Sequence, residues 1–223
     1  MRFLLVMLII PFVLVACAKD PCVDAADHDS CIVTAAVEAK DPRICDNAGT
    51  EAMRTWCYTD VAAAQGTTKV CANIKDERSM DFCVARIVVM NKDVPTCKAI
   101  AQPLARDRCL VELAETLDQP SLCAEVSQQS YGDDCANDIA RKKNLPEACG
   151  YIRDVDTQGL CFMKLASTLD DFELCSKITT LDVRAWCQVN VIVARGDASQ
   201  CAKIFDSVSV TICEDLVAKT ITT

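Results

Sequence analysis

The chain has 223 residues, a formal charge of −9 at pH 7, and 17 cysteines against a single histidine. Such an acidic balance disfavours nucleic acid as a partner, because affinity for a polyphosphate comes largely from Lys and Arg contacts. The cysteine usage disfavours a reducing compartment, where thiols do not persist as disulfides.

At the chain start, Met1-Arg2 is a short charged opening, Phe3 to Val15 is an apolar run, and Leu14-Val15-Ala16-Cys17 closes it. A bilayer span takes about 20 apolar residues, so this shorter run reads as a cleaved export signal. The closing tetrapeptide resembles the lipobox of bacterial lipoproteins. That resemblance implies removal of residues 1–16 and acylation of Cys17, palmitate included, as the first residue of the mature protein. Ordinary cleavage after Ala18 is the competing reading, since Ala16-Cys17-Ala18 also satisfies the small-x-small rule. Parity favours lipidation, because setting Cys17 aside leaves an even number of cysteines for a disulfide framework. Ala18 in the position after Cys17 resembles lipoproteins sorted to an outer membrane, facing the periplasm, in a host with two membranes. Residues 17–21 form a tether that reaches at most about 17 Å, which holds the body close to its bilayer.

Beyond the tether, a repeat dictates the architecture. From Cys31 to Cys213 the cysteine intervals alternate strictly between 14 and 12 residues. Units 41–66, 67–92, 93–118, 119–144, 145–170, 171–196 and 197–222 therefore align without a gap, and positions within a unit are numbered here as columns 1 to 26. Columns 5 and 17 are always Cys. Column 8 is Ala48, Ile74, Ile100, Val126, Ile152, Ile178 and Ile204; column 21 is Val61, Ile87, Leu113, Ile139, Leu165, Val191 and Val217. Spacings of three and four put each cysteine and its apolar partner on one helix face. Column 22 is Ala in five units, which permits close helix approach.

Helix punctuation follows the same period. Asp41, Asp93, Asp171 and Asp197 stand at column 1 as N-caps, and Pro42, Pro120 and Pro146 stand at column 2, the first helical position of their own units. Gly66, Asn144 and Gly196 close units in residues that accept a left-handed backbone. Gly49, Asp76, Gln102-Pro103 and Asp154 mark a break around columns 9 to 11. Each unit thus predicts a helix of about two turns, a tight turn and a helix of about three turns. One such hairpin cannot bury its own apolar stripe, so neighbours must stack. Cys22 and Cys31 make residues 22–40 a shortened first unit, with a three-residue deletion between its cysteines, and this unit is expected to serve as the N-terminal cap.

Two disulfide schemes are geometrically open, within a unit or from one unit to the next. Pairing between units strands Cys22 and Cys213, whereas pairing within units uses every cysteine after Cys17. The expected bridges are Cys22–Cys31, Cys45–Cys57, Cys71–Cys83, Cys97–Cys109, Cys123–Cys135, Cys149–Cys161, Cys175–Cys187 and Cys201–Cys213. Metal or redox use of the cysteines is disfavoured, because no two of them lie within four residues of each other and no Cys-x-x-Cys occurs.

Catalytic constellations are equally thin. His28, the only histidine, is expected in a polar turn, Asp24 to Ser30, with no nucleophile-elbow motif elsewhere. The doublets Asp133-Asp134 and Asp170-Asp171 are read as turn residues whose capping role accounts for them. Arg141-Lys142-Lys143 is read as a helix end, where cations suit the dipole. No loop with calcium-ligand spacing is present. Column 16 holds Trp56, Phe82, Arg108, Asp134, Leu160, Trp186 and Ile212. Its tolerance of charge places it at the edge of the packed face, and Trp56 and Trp186 are the candidate contacts for a partner.

The sequence therefore predicts an all-α, disulfide-stapled α-solenoid over residues 22–223 as a single domain. It loosely resembles the secreted cysteine-rich, tetratricopeptide-like repeat proteins, although their repeats are longer and their cysteines spaced differently. That resemblance implies a non-catalytic surface for binding or scaffolding protein or peptide partners in the bacterial cell envelope, with no cofactor, no metal and the membrane reached through the lipid at Cys17. The alternatives are an envelope enzyme acting on cell-wall material and a passive structural or stress-resistance lipoprotein.

Overall fold

A computed structural model describes residues 22–221; the signal at 1–16 and the tether with Cys17 fall outside that range. Among the described residues there is no strand, and short and long helices alternate throughout. The chain is an all-α, disulfide-stapled helical repeat of the α-solenoid class.

Each unit obeys the column pattern. The short helices, such as Pro42–Asn47 and Phe172–Lys177, are mostly 3₁₀ helices of six residues. Their column-1 caps act as expected: Asp41, Asp93, Asp171 and Asp197 accept from backbone N–H groups two or three residues on, at 2.9 to 3.2 Å. In every unit the carbonyl of the first cysteine then accepts the column-8 N–H at 3.0 to 3.3 Å. That tight turn ends the short helix and drives the column-8 side chain into the core.

The following helices are longer than expected. Glu51–Gln65, Glu77–Asn91, Pro103–Leu117, Gln129–Lys143, Val155–Leu169, Leu181–Arg195 and Ser207–Ile221 each have 15 residues, about four turns. Their caps sit at column 10, as in Thr50, Asp76 and Asp154, so the helix begins one turn before the cysteine-bearing stretch. All six of these helices with a described C-cap end in a left-handed residue, and Lys40 closes the cap helix His28–Ala39 the same way. Gly66, Asn144 and Gly196 were foreseeable there; Lys40, Lys92, Asp118 and Asp170 also adopt it, at φ of 50 to 57°. Left-handed backbone costs a non-glycine residue about 1–2 kcal/mol. Pairing of otherwise orphaned carbonyls offsets this, as when Asp93 N–H donates to Val88 and Asp171 N–H to Ala166.

The bridges join the short helix to the long helix in each of the seven full repeats, and in the cap unit join the turn residue Cys22 to helix His28–Ala39. Cys22–Cys31, Cys45–Cys57, Cys97–Cys109, Cys123–Cys135, Cys149–Cys161, Cys175–Cys187 and Cys201–Cys213 have Cα separations of 5.6 to 5.9 Å, and Cys71 and Cys83 are disulfide-bonded as well. Short helices are marginal in isolation; closing a loop of this order contributes roughly 3 kcal/mol by chain-entropy reasoning. Every column-8 and column-21 side chain is buried, and each such Val, Leu or Ile adds about 1.5–3 kcal/mol.

The described residues form two compact units, one ending at Lys75 and one beginning at Asp76. In the first, His28–Ala39 packs on Glu51–Gln65 and on Pro42–Asn47. His28 there opens the helix instead of lying in a turn. Buried Tyr58 donates its hydroxyl to Asp46; burial first, and then that hydrogen bond to a carboxylate, push its pKa up to about 12. In the second unit, each long helix packs on the one before it and the one after it.

Column 15 makes the joints between successive repeats. Within the first unit, Asp29 accepts the Gly49 N–H at 2.8 Å. Within the second, Asp81 accepts from Gln102 N–H at 2.9 Å, and Asp107 from Ser127 N–H at 3.0 Å, Gln128 N–H at 3.2 Å and the Ser127 hydroxyl. Asp133 accepts from Arg153 N–H at 2.8 Å and Asp154 N–H at 3.0 Å. Each carboxylate thus holds the start of the next long helix. Asp133 therefore lies buried in mid-helix, not at a turn as its doublet with Asp134 suggested, whereas Asp170 and Asp171 do cap. Burial pushes the Asp107 carboxyl up, but the bonds from Ser127 and Gln128 outweigh it and hold the pKa below the ordinary value.

Candidate functional site

Long helices begin at column 11, so columns 12 and 16 fall four residues apart on one ridge. Column 17 beneath is the buried cysteine, which fixes column 16 at the outer edge of the packed face. Two kinds of surface result.

In the repeats at 93–144, column 16 is charged. Arg108 pairs with Glu112 at 2.7 Å, and the next residue in the column is the exposed Asp134. In the three repeats that follow, the column turns apolar. Leu160 is 53% exposed and Trp186 50%, while Ile212 is half-buried. The helices carrying them are packed neighbours, and packed helix axes lie about 8–10 Å apart, so the three side chains line up across the stack. Val155 and Leu181, the first residues of two of these helices, are also exposed, and so is Val208 at column 12.

Carboxylates border the row. Asp156 and Asp182 occupy column 12, one turn before Leu160 and Trp186, in the first turns of their helices. Both are exposed, and neither makes an ion pair or side-chain hydrogen bond among the described residues. The positive end of the helix dipole favours acids there, yet leaves their charge turned to solvent. On the far side of the row stand Lys164 and Asn190 at column 20.

Of the two tryptophans singled out by sequence, Trp186 belongs to this row and Trp56 does not. Trp56 is 66% exposed, but the same column in the preceding repeat of its unit is Ser30. Sequence reasoning passed over Val155, Leu181, Asp156 and Asp182. Reading columns 11 and 12 beside column 16 would have found them.

Two clefts open between neighbouring helices of the second unit. One, of about 430 Å³, is lined by Asp138, Arg141, Lys142, Asn144, Lys164 and Thr168 over Leu165. Asp138 at 3.1 Å and Glu115 at 3.2 Å hold Lys142 in its charged form and raise its pKa. The run Arg141-Lys142-Lys143 closes its helix, and Lys143 reaches Asp118 at 3.0 Å. The other cleft, of about 400 Å³, contains Asp133, Asp134 and Asp154 with Gln129, Ser130 and Thr157. Asp133 is engaged by backbone N–H groups, and Asp154 caps its own helix, the Thr157 N–H and then its hydroxyl holding that carboxyl below the ordinary range. Structural hydrogen bonds thus occupy two of its three carboxylates.

Among the described residues, no group of three or more His, Cys, Asp or Glu is placed to hold a metal ion, and no helix is long and apolar enough to cross a membrane. No protein-family model, no curated protein and no solved structure matches the chain.

Proposed function

We propose that this protein is a non-catalytic, lipid-anchored module of the bacterial cell envelope that binds a protein or peptide partner on its C-terminal repeats. The observation that carries the reading is the row Leu160, Trp186 and Ile212, apolar in three successive repeats at a column that is charged in the two before. A scaffold of stapled hairpins presents such a row rigidly, so little ordering entropy is lost when a partner docks. The lipobox-like tetrapeptide ending in Cys17 and the short tether supply the membrane half of the proposal. An envelope enzyme is the weaker reading, because the acidic cleft that would serve it has most of its carboxylates committed to capping and clamping.

A photo-crosslinking residue placed at Leu160, Trp186 or Arg108 in intact cells separates these readings. Recovery of one and the same protein from positions 160 and 186, and its absence at 108, is the expected result. Equal capture at all three positions rejects the row as a site. Metabolic labelling with a palmitate analogue tests the anchor: the label is expected on the wild-type chain and absent from Cys17→Ser, which also leaves the membrane fraction.

A further inference from the structure

The chemistry around the row says what kind of segment it takes. Asp182 and Trp186 share a ridge one turn apart, and both favour a cation, the carboxylate by charge and the indole by its electron-rich face. Asp156 and Leu160 repeat the arrangement on the adjacent helix with an aliphatic residue in place of the aromatic. Among the described residues both carboxylates lack a partner of their own, as do Asp134, Glu147 and Asp215, whereas Asp107, Asp118, Asp133, Asp138 and Asp170 are engaged; what sets Asp156 and Asp182 apart is the apolar residue one turn on. We infer that this face binds a basic, apolar-studded polypeptide segment, with Lys or Arg side chains at the Asp156–Asp182 edge and apolar side chains on Leu160 and Trp186.

This inference rests on the binding reading above and narrows it to one partner class. Lys164 and Asn190 on the opposite edge set a polarity, so cations belong on the side where the helices start. A second copy of this chain fits poorly, because apposing two such faces brings unpaired carboxylates together. An anionic lipid surface is disfavoured for the same reason.

The test uses the full chain carrying Trp56→Phe, which leaves Trp186 as the only tryptophan and makes its fluorescence a local reporter. The probes are a dodecapeptide of alternating Leu and Lys, the same peptide with Glu for every Lys, and vesicles of anionic or zwitterionic lipid. The Lys peptide is expected to shift Trp186 emission and to bind at least about tenfold more tightly than the Glu peptide, with affinity falling as salt rises. Asp156→Asn with Asp182→Asn is expected to weaken the Lys peptide by about tenfold, and a cooperative melt, lowered only by the lost helix-dipole contribution, is the check that the variant is folded. Equal binding of both peptides, indifference to the Asn pair, or a Trp186 response to anionic vesicles without one to the Lys peptide each overturns the inference. Failure here leaves the broader proposal standing if positions 160 and 186 still capture one and the same protein that position 108 does not; equal capture at all three positions brings down both.

Discussion

The repeats at 93–144 and those at 145–222 share a frame and differ at two adjacent columns. In the first pair, column 15 is Asp107 and Asp133, buried and clamping the next helix start, and column 16 is the charged Arg108 and Asp134. In the later three, column 15 is Gly159, Ala185 and Thr211, and column 16 is the apolar Leu160, Trp186 and Ile212. Where the clamp ends, the apolar row begins. A β-carbon added to Gly159 would stand 3.3 Å from Ile178 Cγ2 and Val183 Cγ1, so the joint that polar bonds make in one region is made by close apolar contact in the other. Frame and surface are therefore separable, and one column of a repeat can change its job without disturbing the cysteines beside it.

Removing the bridges tests the frame common to both regions and should have the largest effect. A reducing agent is expected to lower the melting temperature by tens of degrees or to collapse the helical circular-dichroism signal; an unaltered melt would mean that the disulfides do not hold the fold. Glycine substitutions come next and discriminate between the regions. In Gly132→Ala the new carbon meets the Cys123 carbonyl at 2.5 Å and the Arg153 guanidinium at 2.6 Å. Backbone cannot yield cheaply there, so a loss of about 1–3 kcal/mol is expected in denaturant titration. Gly159→Ala meets only side chains that can shift by tenths of an ångström, and the gain in helix propensity of about 1 kcal/mol should leave it near neutral. Comparable losses in both variants would erase the contrast between the two kinds of joint.

The carboxylate clamp can be broken directly. Asp107→Ala strands the N–H groups of Ser127 and Gln128 and should cost about 1–3 kcal/mol, with hydrogen exchange quickening at the start of helix Gln129–Lys143 first. A stability loss under about 0.5 kcal/mol would show that water replaces the carboxylate at no cost. The smallest effect is on pH. Asp107, like the capping Asp76, Asp93 and Asp206, has a native pKa below the ordinary 3.8. A depressed carboxylate contributes stability that is complete above its unfolded value and disappears as pH falls through the native one. Stability should therefore be flat from about pH 5 to about pH 9 and decline below 3.8, and Asp107→Ala should decline less steeply than wild type. Parallel acid limbs would remove Asp107 from the account.

Much of the frame was legible without coordinates, because it is periodic and each periodic position has a single physical job. Cysteines at columns 5 and 17 and apolar residues at columns 8 and 21 specify the helix pair, its turn and its buried seam, and column 1 announces a cap. Two features of that frame were not legible. Lys40, Lys92, Asp118 and Asp170 close helices in left-handed backbone with no local signal as strong as glycine, since the conformation is held by hydrogen bonds back into the preceding turn. The role of column 15 also escaped, because an Asp two residues before a cysteine looks like any surface acid until the next repeat folds its N–H groups onto it. The candidate site divides along the same line. Trp186 could be picked out by its type and column, but its membership in a row and the unpaired state of Asp156 and Asp182 depend on which helices lie side by side and which charges find partners. A repeating sequence determines what each unit must be, whereas contacts between units decide which of its outward residues remain free to bind.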